Sequence, residues 1–218
     1  MGSGRMHDEH CHILWGVDDG SPDWQTTCQM VKKARGCGIT HITCTPHMRW
    51  PDFSKATVEE RFAQLAEYAP DITWTLGYEV YYKRLLELGL EHAREFVIGD
   101  SNTLLLEFNS GAHVPHDWER TFYTLQGTYG LDLVLAHPER YRSVLDDFDL
   151  AYRMREVGVQ MQVSAGDVLG GPFNKGARVA RRLITEGLAE SLVSDAHRPE
   201  HYDDFQSARR KLKMPING

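Results

Sequence analysis

The chain has 218 residues, 41% of them hydrophobic and 25% charged, which suits one soluble domain with a sizeable core. A formal net charge of −7 and an isoelectric point of about 5.9 leave no broad basic field, so nucleic acid is not expected as a partner. No apolar run approaches the roughly 18 residues of a membrane helix and none resembles a signal peptide; the expectation is a cytoplasmic protein without membrane insertion.

Residues 1–5, MGSGR, read as an expression remnant ahead of Met6, which leaves 6–218 as a single domain. From there, strand-like runs alternate with amphipathic helical segments. The first strand covers 7–12 and its helix 23–36; the second pair is 39–45 with 57–68, the third 72–78 with 83–94, and the fourth 103–108 with 116–128. Three more pairs follow: 132–136 with 145–157, 159–164 with 174–187, and 190–194 with 199–212. Strict alternation predicts an α/β fold with a parallel sheet, and seven units favour a closed barrel over an open sheet.

Polar residues follow a rule. Every strand except the sixth ends in, or is followed at once by, a metal-ligating side chain: His10 and His12, His47, Glu79, Glu107, His137, then Asp195 and His197. A parallel barrel gathers its C-terminal strand ends on one face, so these residues, with Asp19, should meet there. His10 and His12 are two apart on a strand, with Cα atoms about 6.6 Å apart, close enough for both rings to reach one ion. Five imidazoles and four carboxylates at one mouth would be costly to desolvate without cations. Nine donors exceed the needs of a single zinc site and imply two or three divalent ions. The mixed nitrogen and oxygen donors, without thiolates, suit manganese, iron(II) or zinc. Three such ions against four carboxylates leave a charge of about +2, enough to attract phosphate despite the acidic chain.

The motifs HCHILWGVDDG (10–20), TPH (45–47), GYE (77–79), LLLEF (104–108), AHPERY (136–141), SAG (164–166) and SDAH (194–197) resemble, in order and spacing, the polymerase-and-histidinol-phosphatase (PHP) superfamily. Within it the chain looks most like the bacterial manganese-dependent protein-tyrosine phosphatases of capsular and exopolysaccharide synthesis. The resemblance implies a distorted (β/α)7 TIM-like barrel with a trinuclear site, manganese being the first expectation. His10, His12 and Asp195 would hold one ion, and Glu79 would bridge it to a second held by Glu107 and His137. Asp19, His47 and His197 would hold the third. Arg140 and Arg198 would bind phosphate oxygens, with Asp195 serving catalysis as well as metal binding. The implied partner is a phosphotyrosine protein, a bacterial tyrosine autokinase, and the chain could form a homo-oligomer.

Two departures stand out. His7 and Glu9 occupy positions usually apolar in the family, which predicts a solvated outer face on the first strand, and the chain ends early for the subgroup. Asp8, sharing a strand face with His10 and His12 on simple alternation, is expected to orient a ligand. Trp15, Trp50 and Tyr141 are candidates for a phenyl-binding mouth, whereas His41, His92, His113, His116 and His201 read as surface or loop histidines.

The expected chemistry is in-line attack on phosphorus by a metal-bridging hydroxide. A thiolate phosphatase would need arginine six positions after its nucleophile; Cys11, Cys28, Cys37 and Cys44 are followed there by Val17, Ala34, Thr43 and Trp50. The nearest rival is a small-molecule phosphatase such as a histidinol phosphatase. An amidohydrolase-type barrel is a second rival, but it commonly carries a carboxylated lysine where Glu107 stands. A metal-binding protein without catalysis is the third.

Overall fold

The computed structural model describes residues 6–213, so the expected remnant at 1–5 lies outside the described residues. Among the described residues nine strands are all paired in parallel: β1 (Met6–Cys11), β2 (Ile39–Cys44), β3 (His47–Met48), β4 (Thr73–Leu76), β5 (Glu79–Tyr81), β6 (Thr103–Glu107), β7 (Asp132–Ala136), β8 (Gln160–Ser164) and β9 (Ser191–Val193). They occupy seven positions around a barrel, because the predicted second and third strands are each broken in two. Pro46 has no N–H to donate, and a Cβ at Gly77 would lie 2.8 Å from Ile98 Cγ1. Hydrogen bonds nevertheless cross both breaks: Gly77 donates to the Cys44 carbonyl at 2.8 Å and Glu79 to the Pro46 carbonyl at 3.1 Å. Closure falls between the first and last strands, where Asp195 N–H donates to His10 O and His12 N–H to Ala196 O.

The helices are α1 (Trp24–Gly36), α2 (Lys55–Tyr68), α3 (Tyr82–Leu88), α4 (Trp118–Gly127), α5 (Arg142–Asp146), α6 (Asp149–Glu156), α7 (Ala165–Val168), α8 (Lys175–Thr185) and α9 (His201–Lys211). Three begin at side-chain caps, with Asp23, Ser54 and Asn174 each accepting from a backbone N–H three residues on. The predicted 83–94 helix stops at Gly89, whose φ of 109° no other residue adopts easily, and continues as a tighter turn over Leu90–Phe96. The core lies mainly between barrel and helices. On α4, for example, Trp118, Phe122 and Leu125 are buried, and Phe122 stacks on Phe108 of the barrel wall at 5.8 Å. Burying such a side chain stabilises the fold by about 1.5–3 kcal/mol.

The barrel interior departs from what strand alternation suggests. Asp8 pairs with Ile42 and Cys11 with Cys44, so β1 advances three residues where β2 advances two. This bulge reverses the facing of the residues that follow it. His7 and Glu9 are solvated as expected, with side chains 35% and 42% exposed, but they line a cavity of about 1090 Å³ with Thr43, Thr75, Val134 and Gln162 and do not form an outer face. His7 stacks on His41 at 3.6 Å and its Nε2 lies 2.8 Å from Thr43 Oγ1, so His41 is not a surface histidine either.

Candidate metal centre

All nine sequence-predicted ligands converge at the mouth formed by the C-terminal strand ends. Three sets of donors each lie within 4.8 Å of one another: His10, His12 and Asp195; His47, Glu79 and Glu107; and His12, Asp19, His47 and His197. Glu79 links the first two sets, its Oε2 standing 3.3 Å from the Nε2 atoms of His10 and His12 and 3.0 Å from His47 Nδ1. The ligand partition differs in detail from the expected one. His47 reaches Glu107 Oε1 at 3.1 Å, whereas His137 Nε2 is 2.7 Å from Glu79 but 4.0 Å from Glu107.

The donors suit cations. His10 and His12 point their Nε2 atoms at each other across 3.1 Å, an arrangement that a positive ion between the lone pairs would satisfy. Buried side-chain atoms without a hydrogen-bond partner include three that face one another in the cluster, His47 Nδ1, Glu79 Oε2 and Glu107 Oε1. Such atoms are costly to bury unless something coordinates them.

Local backbone geometry aims two of the ligands. Among described residues other than glycine, positive φ occurs only at His137 (36°), Asp195 (49°) and Lys213 (54°). The first two turn the chain sharply at the ends of β7 and β9, and each costs about 1–3 kcal/mol that the surrounding barrel must offset.

The electrostatics follow from proximity. Burial would lower the basicity of His12, yet the Asp18 carboxylate beside it and the hydrogen bonds of Asp195 and Glu79 raise it well above the usual imidazole value. Burial likewise opposes ionisation of Asp195, but Arg140 and the neighbouring histidines hold it well below the ordinary carboxylate range. Asp19, exposed at the rim, is pulled down to about 2, chiefly by its hydrogen bond with His197. Asp19 and Asp195 thus stay ionised, as cation binding requires.

Arg140 sits at the Asp195 end of the cluster. Its Nη2 is 2.8 Å from Asp195 Oδ2 and 2.9 Å from Ser164 Oγ, while Nε donates to Asp167 at 2.7 Å. Arg198 is exposed and makes no ion pair or side-chain hydrogen bond among the described residues. Of the three aromatic candidates, only Trp50 stands at the mouth, edge-on to His47 at 5.7 Å and lining a cleft with Asp18, Asp19 and Asp52. Tyr141 is fully buried, donating to the Ala136 carbonyl, and Trp15 packs on Trp24.

Several working residues escaped the sequence reading. Asp18 accepts from His12 Nδ1 at 2.8 Å and from the His47 N–H at 3.0 Å, so it fixes one ring and one backbone; the Asp18–Asp19 pair was the available signal. Asp8, which the sequence did single out as orienting a ligand, acts on Asp195 and not on the neighbouring histidines. Fully buried on the far side of the bulge, it accepts from Ser194 N–H and Oγ and so holds the strand end that presents Asp195. His201 accepts from the His197 N–H at 3.2 Å and belongs to the mouth, not the surface.

A closed parallel barrel gathering five imidazoles and four carboxylates at its C-terminal mouth defines the class of protein. The chain belongs to the CpsB/CapC family of capsular polysaccharide synthesis, whose profile matches residues 6–213. It is 34% identical over 199 residues to the tyrosine-protein phosphatase YwqE of Bacillus subtilis, covering 88% of this chain and 77% of that protein. It is 29% identical over 199 residues to the putative tyrosine-protein phosphatase CapC of Staphylococcus aureus, with the same coverage. A crystal structure from the study of YwqE and Streptococcus pneumoniae CpsB, described as unique metal-dependent tyrosine phosphatases, superposes with a TM-score of 0.83 at 29% identity, covering 97% of this chain and 89% of that one. A β-aspartyl dipeptidase from Fervidobacterium islandicum, at 12% identity and a TM-score of 0.62 over 98% of this chain and 70% of its own, shares the fold alone.

Proposed function

We propose that this chain is a metal-dependent protein-tyrosine phosphatase that uses two or three divalent ions, manganese first among them, and acts on a phosphorylated tyrosine kinase that regulates polysaccharide synthesis. The carrying observation is the convergence at one mouth beside Arg140 of eight predicted ligands in three donor sets, with the ninth, His137, held against Glu79. Likeness to YwqE and CapC supports the choice of phosphotyrosine over a small metabolite. We place the activity in one domain over 6–218, working in the cytoplasm; no described helix is long and apolar enough to cross a membrane.

Bound ions would supply charge for the phosphoryl oxygens and acidify a water for attack. The chain does the rest. Asp18 keeps the His12 ring turned inward, and Glu79 joins two donor sets so that they act on the same group. Arg140, braced by Asp167 and Ser164, offers a planar fork to phosphate oxygens. The Trp50 cleft beside Asp19 has room for a phenyl ring, and a phenol with pKa near 10 leaves more readily than an alkanol.

Metal-loaded protein should hydrolyse phosphotyrosine peptides, lose activity with a chelator, regain it with manganese, and keep it after thiol alkylation. A preference of about a hundredfold or more for histidinol phosphate or sugar phosphates, worth about 2.7 kcal/mol in transition-state binding, would overturn the choice of substrate.

A further inference from the structure

Beside the predicted ligands His47, Glu79 and Glu107 stand Arg49, Tyr81 and Asn109, each two residues further along the same alternation, with Tyr81 level with Glu107 in the register. Arg49 touches the other two. The Arg49 guanidinium lies 4.6 Å over the Tyr81 ring, and its Nη2 is 3.5 Å from Asn109 Oδ1. Beneath it, Nη1 is 3.6 Å from Glu107 Oε1.

Arg49 and Arg140 therefore stand at the two ends of the donor cluster, one over Glu107 and the other against Asp195. Their anchoring differs. Arg140 is held by short contacts to Asp167, Ser164 and Asp195. Arg49 is oriented by stacking and by two long contacts, so most of its five N–H donors are not taken up by the protein. A guanidinium with a fixed plane, a spare fork and a half-buried seat is well suited to a phosphate dianion.

We propose that Arg49 is a second phosphoryl-binding residue, clasping the phosphate from the Glu107 end while Arg140 holds it from the Asp195 end. Tyr81 and Asn109 are its positioning residues. This rests on the phosphatase reading but concerns a residue which neither the motifs nor the spacing singled out.

The test is binding of inorganic phosphate to manganese-loaded protein by isothermal titration, with metal content measured in parallel and phosphotyrosine-peptide kinetics as a second readout. Arg49→Ala should weaken phosphate binding about ten- to a hundredfold, the usual loss for a charge-assisted hydrogen bond, with metal content unchanged. Arg49→Lys should recover only part of it, because the ammonium lacks the fork and the stack. Phosphate affinity within twofold of wild type in Arg49→Ala overturns the proposal, as does loss of metal in that variant, which would make Arg49 a brace for Glu107. Wild-type protein that binds phosphate but turns over no phosphotyrosine peptide would sink the proposed substrate and leave the Arg49 result standing by itself.

Discussion

His7 makes the acid limb of this protein's stability curve open to a specific forecast. Burial, and then the neighbouring His41, lower its pKa from 6.5 to about 4. The unfolded chain binds a proton near pH 6.5 that the folded chain refuses until about pH 4, so the stability contributed by neutral His7 is whole above 6.5 and is lost as pH falls through that window. A shift of about 2.5 units corresponds to at most about 3.4 kcal/mol, but the ring is about a third exposed and solvent screening reduces the expectation to roughly 1–2 kcal/mol. His7→Phe keeps a planar ring against His41 and gives up the 2.8 Å bond to Thr43, a loss of about 1 kcal/mol. The variant should be slightly less stable than wild type at pH 7.5 and at least as stable at pH 4.5, read from paired urea melts of chelator-treated protein. Groups away from His7 and His41 titrate equally in both proteins and cancel in the difference. A difference in unfolding free energy that stays constant from pH 7.5 to 4.5 would refute the reasoning.

Other perturbations reach different parts of the molecule. Asp18→Ala removes the acceptor for His12 Nδ1 and for the His47 N–H, and should weaken metal binding about ten- to a hundredfold while circular dichroism stays native; unchanged affinity in a chelator competition would deny Asp18 its orienting part. Phe122→Ala empties a fully buried site between α4 and the barrel wall and should cost about 3–5 kcal/mol in a denaturant melt, with a loss under 1 kcal/mol counting against that packing.

Much of this protein is written locally. Alternating strand and helix patterns marked all seven barrel positions within a few residues, because hydrophobic periodicity is a property of short segments. The candidate ligands were legible for a related reason: all but Asp19 sit at or just after a strand end, and a parallel barrel leaves those ends only one place to meet. The missed breaks at Pro46 and Gly77 interrupt strand pairing without interrupting the chain's course, so the residue pattern runs through them unchanged.

What the sequence determined by itself is the set of candidate donors and their common face, since residue type and position at or just after a strand are enough to place most of them. Only the tertiary structure decided which side chains serve them. One extra residue in β1 turns His7 and Glu9 into the barrel cavity and sends Asp8 to Ser194. Likewise, contacts across three strands, and not any motif, seat Arg49 over Tyr81 and Glu107 while leaving Arg198 in solvent. Facing and register depend on pairing with a neighbour far away in the chain, and a single-residue slip changes them while barely altering the sequence pattern.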